Sequence, residues 1–209
     1  EKEVTKNPPQ PFTTSGLQQS ANNNMHISPK ETMALAQKLY EGGYITYMRT
    51  DSKVYSEEFV ENGKQYITEK YNESYINPEI TLLMQRSNDS SRELINIDET
   101  KKPKKSVKKK KENEEASLAQ EAHEAIRPTN IETEFLPEDE DVFTARHRKL
   151  YRLIWSTTLE SMMAPATYKQ LQIKISSLKD YFYKYLAEEN IFPGWKVVNG
   201  LEEEKYYKF

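Results

Sequence analysis

Residues 28–52 read SPKETMALAQKLYEGGYITYMRTDS, and the first part of this stretch is a complete helix signal. Ser28 stands as N-cap, Pro29 takes the first helical position where its missing N–H costs nothing, and Glu31 closes a capping box. Met33, Ala36, Leu39 and Tyr40 then recur at helical spacing, and Gly42 supplies the stop. The spacing predicts a helix from residue 29 to about 41. Behind the double glycine come two tyrosines, an arginine, two threonines, an aspartate and a serine, a composition poorly suited to a core element. Tyr47 lies two residues before Arg49, which sets a hydroxyl nucleophile beside a fixed positive charge, as attack on an anionic phosphodiester requires. Yet the chain holds 14 Tyr, and most tyrosines pack half-buried with a hydrogen-bonded tip. Spacing alone therefore leaves Tyr47 open between packing and chemistry. Gln37 and Glu41, four apart, share one helix face that either meets solvent or turns a polar edge toward Tyr47.

Working outward from that stretch, the chain before it opens with an extended Pro8-Pro9-Gln10-Pro11-Phe12. Ser15 and Gln18 then have capping-box spacing, predicting a short helix from Ser15 to about Ala21 that Asn22, Asn23 and Asn24 break. On the other side, Ser56-Glu57-Glu58-Phe59 starts a helix reaching about Tyr71, with Phe59, Gly63, Tyr66, Ile67 and Lys70 on one side. From about residue 85 to 118 the chain is polar, with too few apolar side chains to offset ordering entropy, and reads as a disordered insertion. Residues 119–129 predict a short helix ended by Pro128, in which His123 and Arg127 lie four apart on one face. That pair is open between a structural role and a phosphate site. A helix from about Val142 to Met163 follows, with Leu150, Leu153, Ile154 and Trp155 toward the core and Pro165 as its end. Leu171, Ile173 and Ile175 alternate with polar residues, and Tyr181, Tyr183 and Tyr185 repeat the period of two, which predicts a hairpin turning at residues 177–180. Its tyrosine row suits a sheet face or a stacking platform for bases. The fold class expected is mainly α with a smaller β-rich C-terminal part, an α+β chain.

Composition narrows the function classes. The absence of cysteine excludes disulfide scaffolds, cysteine nucleophiles and thiolate zinc sites. No apolar run approaches the roughly 18 residues of a membrane helix, and the mean hydropathy of -0.90 fits a soluble protein. No signal peptide opens the chain, the first residue is not Met, and the last lies in an apolar patch, so the sequence is expected to be a piece of something longer. The formal net charge is -3, but residues 101–111 hold eight Lys and no acid, leaving 22 basic against 33 acidic residues elsewhere. Bulk charge therefore does not hold nucleic acid here; any such contact must be local. The Lys tract is open between a solvated loop, phosphate contacts and a nuclear address.

Several stretches, in order, resemble the type IA DNA topoisomerases of bacterial type. They are residues 11–15 with Leu17, Gln18 and Gln19, then residues 36–52, 120–129, 150–155 and 162–166, nearly the whole chain apart from the insertion. The resemblance implies that Tyr47 attacks a phosphodiester of single-stranded DNA, leaving a 5′-phosphotyrosyl link and a free 3′-hydroxyl, so that another strand can pass before rejoining. It further implies that Arg49 holds the scissile phosphate, that His123 belongs to the phosphate site, and that Gln37, Glu41, Thr46, Thr50, Asp51, Ser52 and Arg127 support the site or touch DNA. A free phenol, with pKa about 10, is ionised only to about one part in a thousand at pH 7, so such help is needed.

By the same resemblance residues 1–6 are a strand or linker remnant of an arch domain, 7–166 the helical domain with the tyrosine, and 167–209 a β-rich arch segment. The family's magnesium would be bound by an acidic toprim domain N-terminal to this chain, in an Asp-x-Asp-x-Glu pattern. The nearest string, Asp139-Glu140-Asp141-Val142-Phe143, lacks the final acid, so no metal ligand and no cofactor is assigned to these residues. The expected partners are single-stranded DNA and the remaining domains of the same chain, without a membrane; the chain is expected to be monomeric, intracellular and unable to relax DNA alone. A tyrosine recombinase fails on order, since its tyrosine follows the Arg and His cluster whereas Tyr47 precedes His123 and Arg127. A non-catalytic single-strand-binding or interaction module on the same scaffold stays open.

Overall fold

A computed structural model describes residues 1–84, 124–137, 142–176 and 181–200. Its helices are α1 (Thr14–Met25), α2 (Pro29–Glu41), α3 (Glu57–Lys70) and α4 (Ala145–Ser161), and its strands β1 (Lys2–Lys6), β2 (Ala166–Ser176) and β3 (Phe182–Phe192). This is the mixed α+β composition expected. The predicted insertion at 85–118, the Lys tract and the acidic string at 139–141 lie outside the described residues.

Helix α2 follows its signals closely. The Ser28 hydroxyl accepts the Glu31 N–H, Pro29 begins the helix and Gly42 caps it. Thr32, Leu35, Ala36 and Leu39 are buried, while Met33 and Tyr40 are only half-buried, so the core stripe is turned slightly from the one expected. Helix α3 buries Phe59, Val60, Gly63 and Ile67.

Three expectations are corrected. Helix α1 begins at Thr14, capped by Thr13 rather than Ser15, and runs through the three asparagines to Met25. The asparagine side chains find carbonyls that suit a helix: Asn24 donates to Ser20 O at 2.8 Å and Asn22 reaches Ile27 O at 3.1 Å. Buried Leu17 and Ala21 hold the helix on the core, and His26, in the left-handed region at φ 55°, ends it. Around Arg127, residues 124–129 are extended, not helical. Ile126 and Pro128 pair with Phe12 and Ile45, and the N–H groups of Ala125 and Ile126 are taken by Val54 O and Phe12 O at 2.8 Å. Tertiary partners thus outbid the local helical preference. Lastly, α4 starts at Ala145 after Thr144, whose N–H donates to His147 Nδ1 at 3.1 Å. Leu153 is only half-buried, while Tyr151 and Leu159 join Leu150, Ile154 and Trp155 inside.

The core gathers on α4, where Trp155 is fully buried and donates its Nε1–H to Ile131 O at 2.7 Å. Side chains of α1, α2 and α3 and of the 45–55 segment (Ile45, Met48, Tyr55) pack into the same cluster. Burial pushes the Tyr55 hydroxyl up to about 12, against hydrogen bonds to Ser161 and Thr158 and the charge of Arg127.

The strands form one antiparallel sheet in the order β1-β2-β3. β2 begins at Ala166, earlier than the alternation at 171–175 suggested, because β1 pairs with its first part from Lys6↔Ala166 to Lys2↔Gln170. Beyond that, β2 and β3 continue together to Ser176↔Phe182. The base of the sheet is tied to the helical body at residues 193–199. Gly194, at φ 52°, lies so close to the Ala164 and Pro165 carbonyls that a Cβ would meet both oxygens at 2.5 Å. Trp195 next to it donates its N–H to Ala164 O and its Nε1–H to Lys6 O. Asn199 donates its side-chain amide to Glu160, near the end of α4. No helix among the described residues is long and apolar enough to cross a membrane.

Candidate active site

The segment that carries Tyr47 leaves α2 through a turn in which Gly43 takes φ 77°, a conformation open to glycine at no steric cost. It then pairs through Ile45 with Pro128 and bends at Met48, held first by residues 125–129. Thr129 N–H reaches Tyr44 O at 3.0 Å and Thr46 N–H reaches Arg127 O at 2.9 Å. The Thr46 hydroxyl donates to Ala125 O at 2.9 Å and accepts the Arg127 N–H at 3.1 Å. Ile45, Thr46 and Met48 are buried, Tyr47 is half-buried and Arg49 exposed. The chain bends at Met48, whose side chain is buried between the half-buried Tyr47 and the exposed Arg49.

The Tyr47 ring lies edge-on to Tyr40 of α2, with centroids 5.4 Å apart and planes at 69°. Its position is therefore fixed by packing, as an aromatic pair of this kind favours. Arg49 forms no hydrogen bond or ion pair among the described residues and lines an open cleft with Thr14, Ser15, Gln18, Asp51 and Lys53. Lys53 leans on Gln10, donating to its side chain at 3.1 Å. Tyr47 does not line this cleft.

The other sequence candidates fall into three groups. Thr50 and Ser52 shape the loop: the Thr50 hydroxyl accepts the Ser52 N–H at 3.1 Å and the Ser52 hydroxyl accepts the Val54 N–H at 3.4 Å. Gln37 donates to Glu41 at 2.8 Å, so these two form a polar pair on α2. Arg127 is taken up internally. Its Nε meets Glu124 at 2.7 Å, Nη1 donates to Pro128 O at 3.1 Å, and the guanidinium covers the Phe59 ring at 4.1 Å. Glu124 is buried, so this charge pair sits largely out of water. His123 lies outside the described residues, and the helical face it was to share with Arg127 has no counterpart at residues 124–129. Two contributors went unassigned in the sequence, Tyr40 and Thr14. Tyr40 sat in the predicted apolar stripe, and Thr14 in a stretch that carried the family resemblance, the only signals available for either.

Among the described residues no group of three or more His, Cys, Asp or Glu side chains is placed to hold a metal ion. The arrangement offers a packed phenol and, two residues on, an exposed guanidinium on a doubly anchored segment.

Residues 1–208 match the family described as DNA topoisomerase. The chain belongs to the type IA DNA topoisomerase family. It is 38% identical over 206 residues to the prokaryotic-type DNA topoisomerase 1 of Acanthamoeba polyphaga mimivirus, covering 95% of this chain and 20% of that protein. DNA topoisomerase 1 of Vibrio cholerae is 36% identical over 195 residues, covering 93% of this chain and 18% of the relative. The structure also resembles full-length topoisomerase I from Thermotoga maritima, with a TM-score of 0.67 and 29% identity, covering 96% of this chain and 28% of that one. The chain spans about a fifth of the length of the curated relatives it matches.

Proposed function

We propose that these residues are the tyrosine-bearing part of a topoisomerase that cleaves and rejoins single-stranded DNA, relaxing negative supercoils through a 5′-phosphotyrosyl intermediate. The Tyr47 oxygen attacks the scissile phosphorus, forming a tyrosyl P–O bond as the bond to the 3′ oxygen breaks. The phenol's proton leaves and the departing 3′ oxygen gains one, becoming a hydroxyl. Rejoining reverses the exchange, so one phosphoester replaces another and no outside energy source is needed. Arg49 binds non-bridging phosphate oxygens and offsets the charge that develops on them. The observation that supports this reading is a half-buried, ring-packed Tyr47 and an exposed, unengaged Arg49 two residues apart on a segment pinned at both ends.

Magnesium, when bound, would neutralise phosphate charge. Its ligands are proposed to lie in an acidic toprim region of a longer chain, together with the partner domains of the arch. Gln37, Glu41 and Asp51 are proposed to support the site, with His123 at the phosphate. A DNA-associated location goes with that substrate. Non-catalytic single-strand binding on the same scaffold is the second reading, favoured by one fact: Tyr47 stands outside the cleft that Arg49 lines.

The test uses the longer protein carrying these residues, incubated with end-labelled single-stranded DNA and magnesium. A covalent adduct on the 5′ phosphate is expected, and Tyr47→Phe is expected to abolish it. An undiminished adduct in the Phe variant sinks the assignment, a 3′ link points to recombinase chemistry, and binding without any adduct supports the second reading. The 209-residue chain alone is expected to bind single strands weakly, losing affinity with salt, and not to relax DNA.

A further inference from the structure

We propose that Thr14 is a positioning residue that sets where Arg49 stands relative to Tyr47; this rests on the reading of Tyr47 as nucleophile. Thr14 is the first residue of α1, yet it does not cap the helix: Thr13 does, accepting the Gly16 N–H at 3.2 Å. The Thr14 hydroxyl is instead aimed at the backbone on either side of Arg49. It accepts the Thr50 N–H at 2.9 Å and lies within donating distance of Met48 O at 2.9 Å and Thr50 O at 3.1 Å. Its own N–H donates to Thr50 O at 2.9 Å. Residues 48 and 50 are thus both clamped to the start of one helix, with Arg49 between them.

The clamp matters because the other anchor is at Thr46, tied to Ala125 and Arg127. Only Tyr47, Met48 and Arg49 lie between the two anchors, and Met48 is buried. Thr14 therefore fixes the far end of a three-residue span whose outer side chains are the phenol and the guanidinium. Removing the hydroxyl leaves the Thr50 N–H without its acceptor and residue 50 held to α1 by the Thr14 N–H alone, which loosens the backbone around Arg49. Misplacement by about 1 Å at a reacting centre can cost on the order of 100-fold in rate.

The experiment measures single-turnover adduct formation at saturating single-stranded DNA, and DNA affinity separately, in the longer protein. Thr14→Val, equal in shape but lacking the hydroxyl, is expected to slow adduct formation about 10–100-fold while affinity stays within about threefold. Thr14→Ser keeps the hydroxyl and is expected to restore most of the rate. Amide exchange of Thr50 should quicken in the Val variant and not in the Ser variant. A Val variant that reacts at the normal rate while Tyr47→Phe is inert overturns the role of Thr14 and leaves the nucleophile standing. A Ser variant as slow as the Val variant also overturns it, since the methyl would then be what counts. Affinity lost with no change in rate at saturation would make Thr14 a binding contact instead. An adduct that survives Tyr47→Phe removes the nucleophile and this inference together.

Discussion

The helical body and the outer half of the sheet are built on opposite principles. Around α4, side chains from every described helix and from the 45–55 segment converge, and Trp155, Tyr151, Ile45 and Met48 are almost wholly enclosed. Along the outer hairpin, residues 171–176 and 181–186 are exposed on both faces. Ile173, Ile175, Tyr183 and Tyr185 share one face through the pairings Ile173↔Tyr185 and Ile175↔Tyr183, and they gain only cross-strand contact with one another. A small sheet with no layer against it among the described residues has little there to hold it beyond its ladder. The difference teaches where precision is kept: Tyr47 and Arg49 hang on the rigid body, and the hairpin is an arm attached at its base through Gly194, Trp195 and Asn199.

The sharpest break of this contrast would come from Trp155→Ala. Emptying that site and leaving Ile131 O without its donor is expected to cost about 3–5 kcal/mol, read as a lower urea midpoint for the whole body. A loss under about 1 kcal/mol would mean the body is far less tightly packed than its burial indicates.

The junction between the two regions makes a pH prediction. Burial pushes the Glu160 carboxyl from its ordinary 4.5 up to about 7, against the weaker pull of Arg152, and the Asn199 amide that donates to it works in the same direction as Arg152. A raised carboxyl means that the folded protein binds the proton more readily than the unfolded chain. Glu160 therefore stabilises relatively at low pH, loses that advantage as pH rises from about 4.5 to 7, and contributes no further slope above. Glu160→Gln is expected to remove this part of the pH dependence and to be the more stable form at pH 8, by on the order of 3 kcal/mol at most. Thermal unfolding of both forms at pH 5 and pH 8 decides it; parallel slopes would show that Glu160 is already charged in the fold.

The smallest effect is expected in the arm. Ile173→Ala should cost under about 1 kcal/mol, because the side chain is 38% exposed and leaves no cavity behind. A cost comparable with Trp155→Ala would erase the contrast, showing that the hairpin face is packed in solution.

Helix α2 was legible because its signals are local: a hydroxyl at the N-cap, a proline at the first turn and a glycine at the end act within a few residues. The hairpin was legible too, since alternation needs only neighbours. Residues 124–129 were misread for the converse reason. Ala125 and Ile126 have a helical composition, but their N–H groups are claimed by Val54 and Phe12, residues distant in sequence. Helix α1 was cut short for a different reason: Asn22 and Asn24 were treated as breakers, whereas local carbonyls satisfy their side chains. In the site, the proposal of Tyr47 with Arg49 rests on spacing and family resemblance, whereas the engagement of Arg127 with buried Glu124 was not readable from either.

By itself the sequence determined the α+β class, the α2 helix and the hairpin, because each depends on residue type and on spacing along a few turns or strands. Tertiary structure decided which of those side chains are free. Arg49 and Arg127 carry the same charge, yet one lines an open cleft and the other is closed over Phe59 by Glu124. It also decided that Thr14, an unremarked residue at the start of α1, closes on the backbone around Arg49. Such roles are set by which distant carbonyl or carboxylate lies within hydrogen-bond reach, and that is a property of the packed chain.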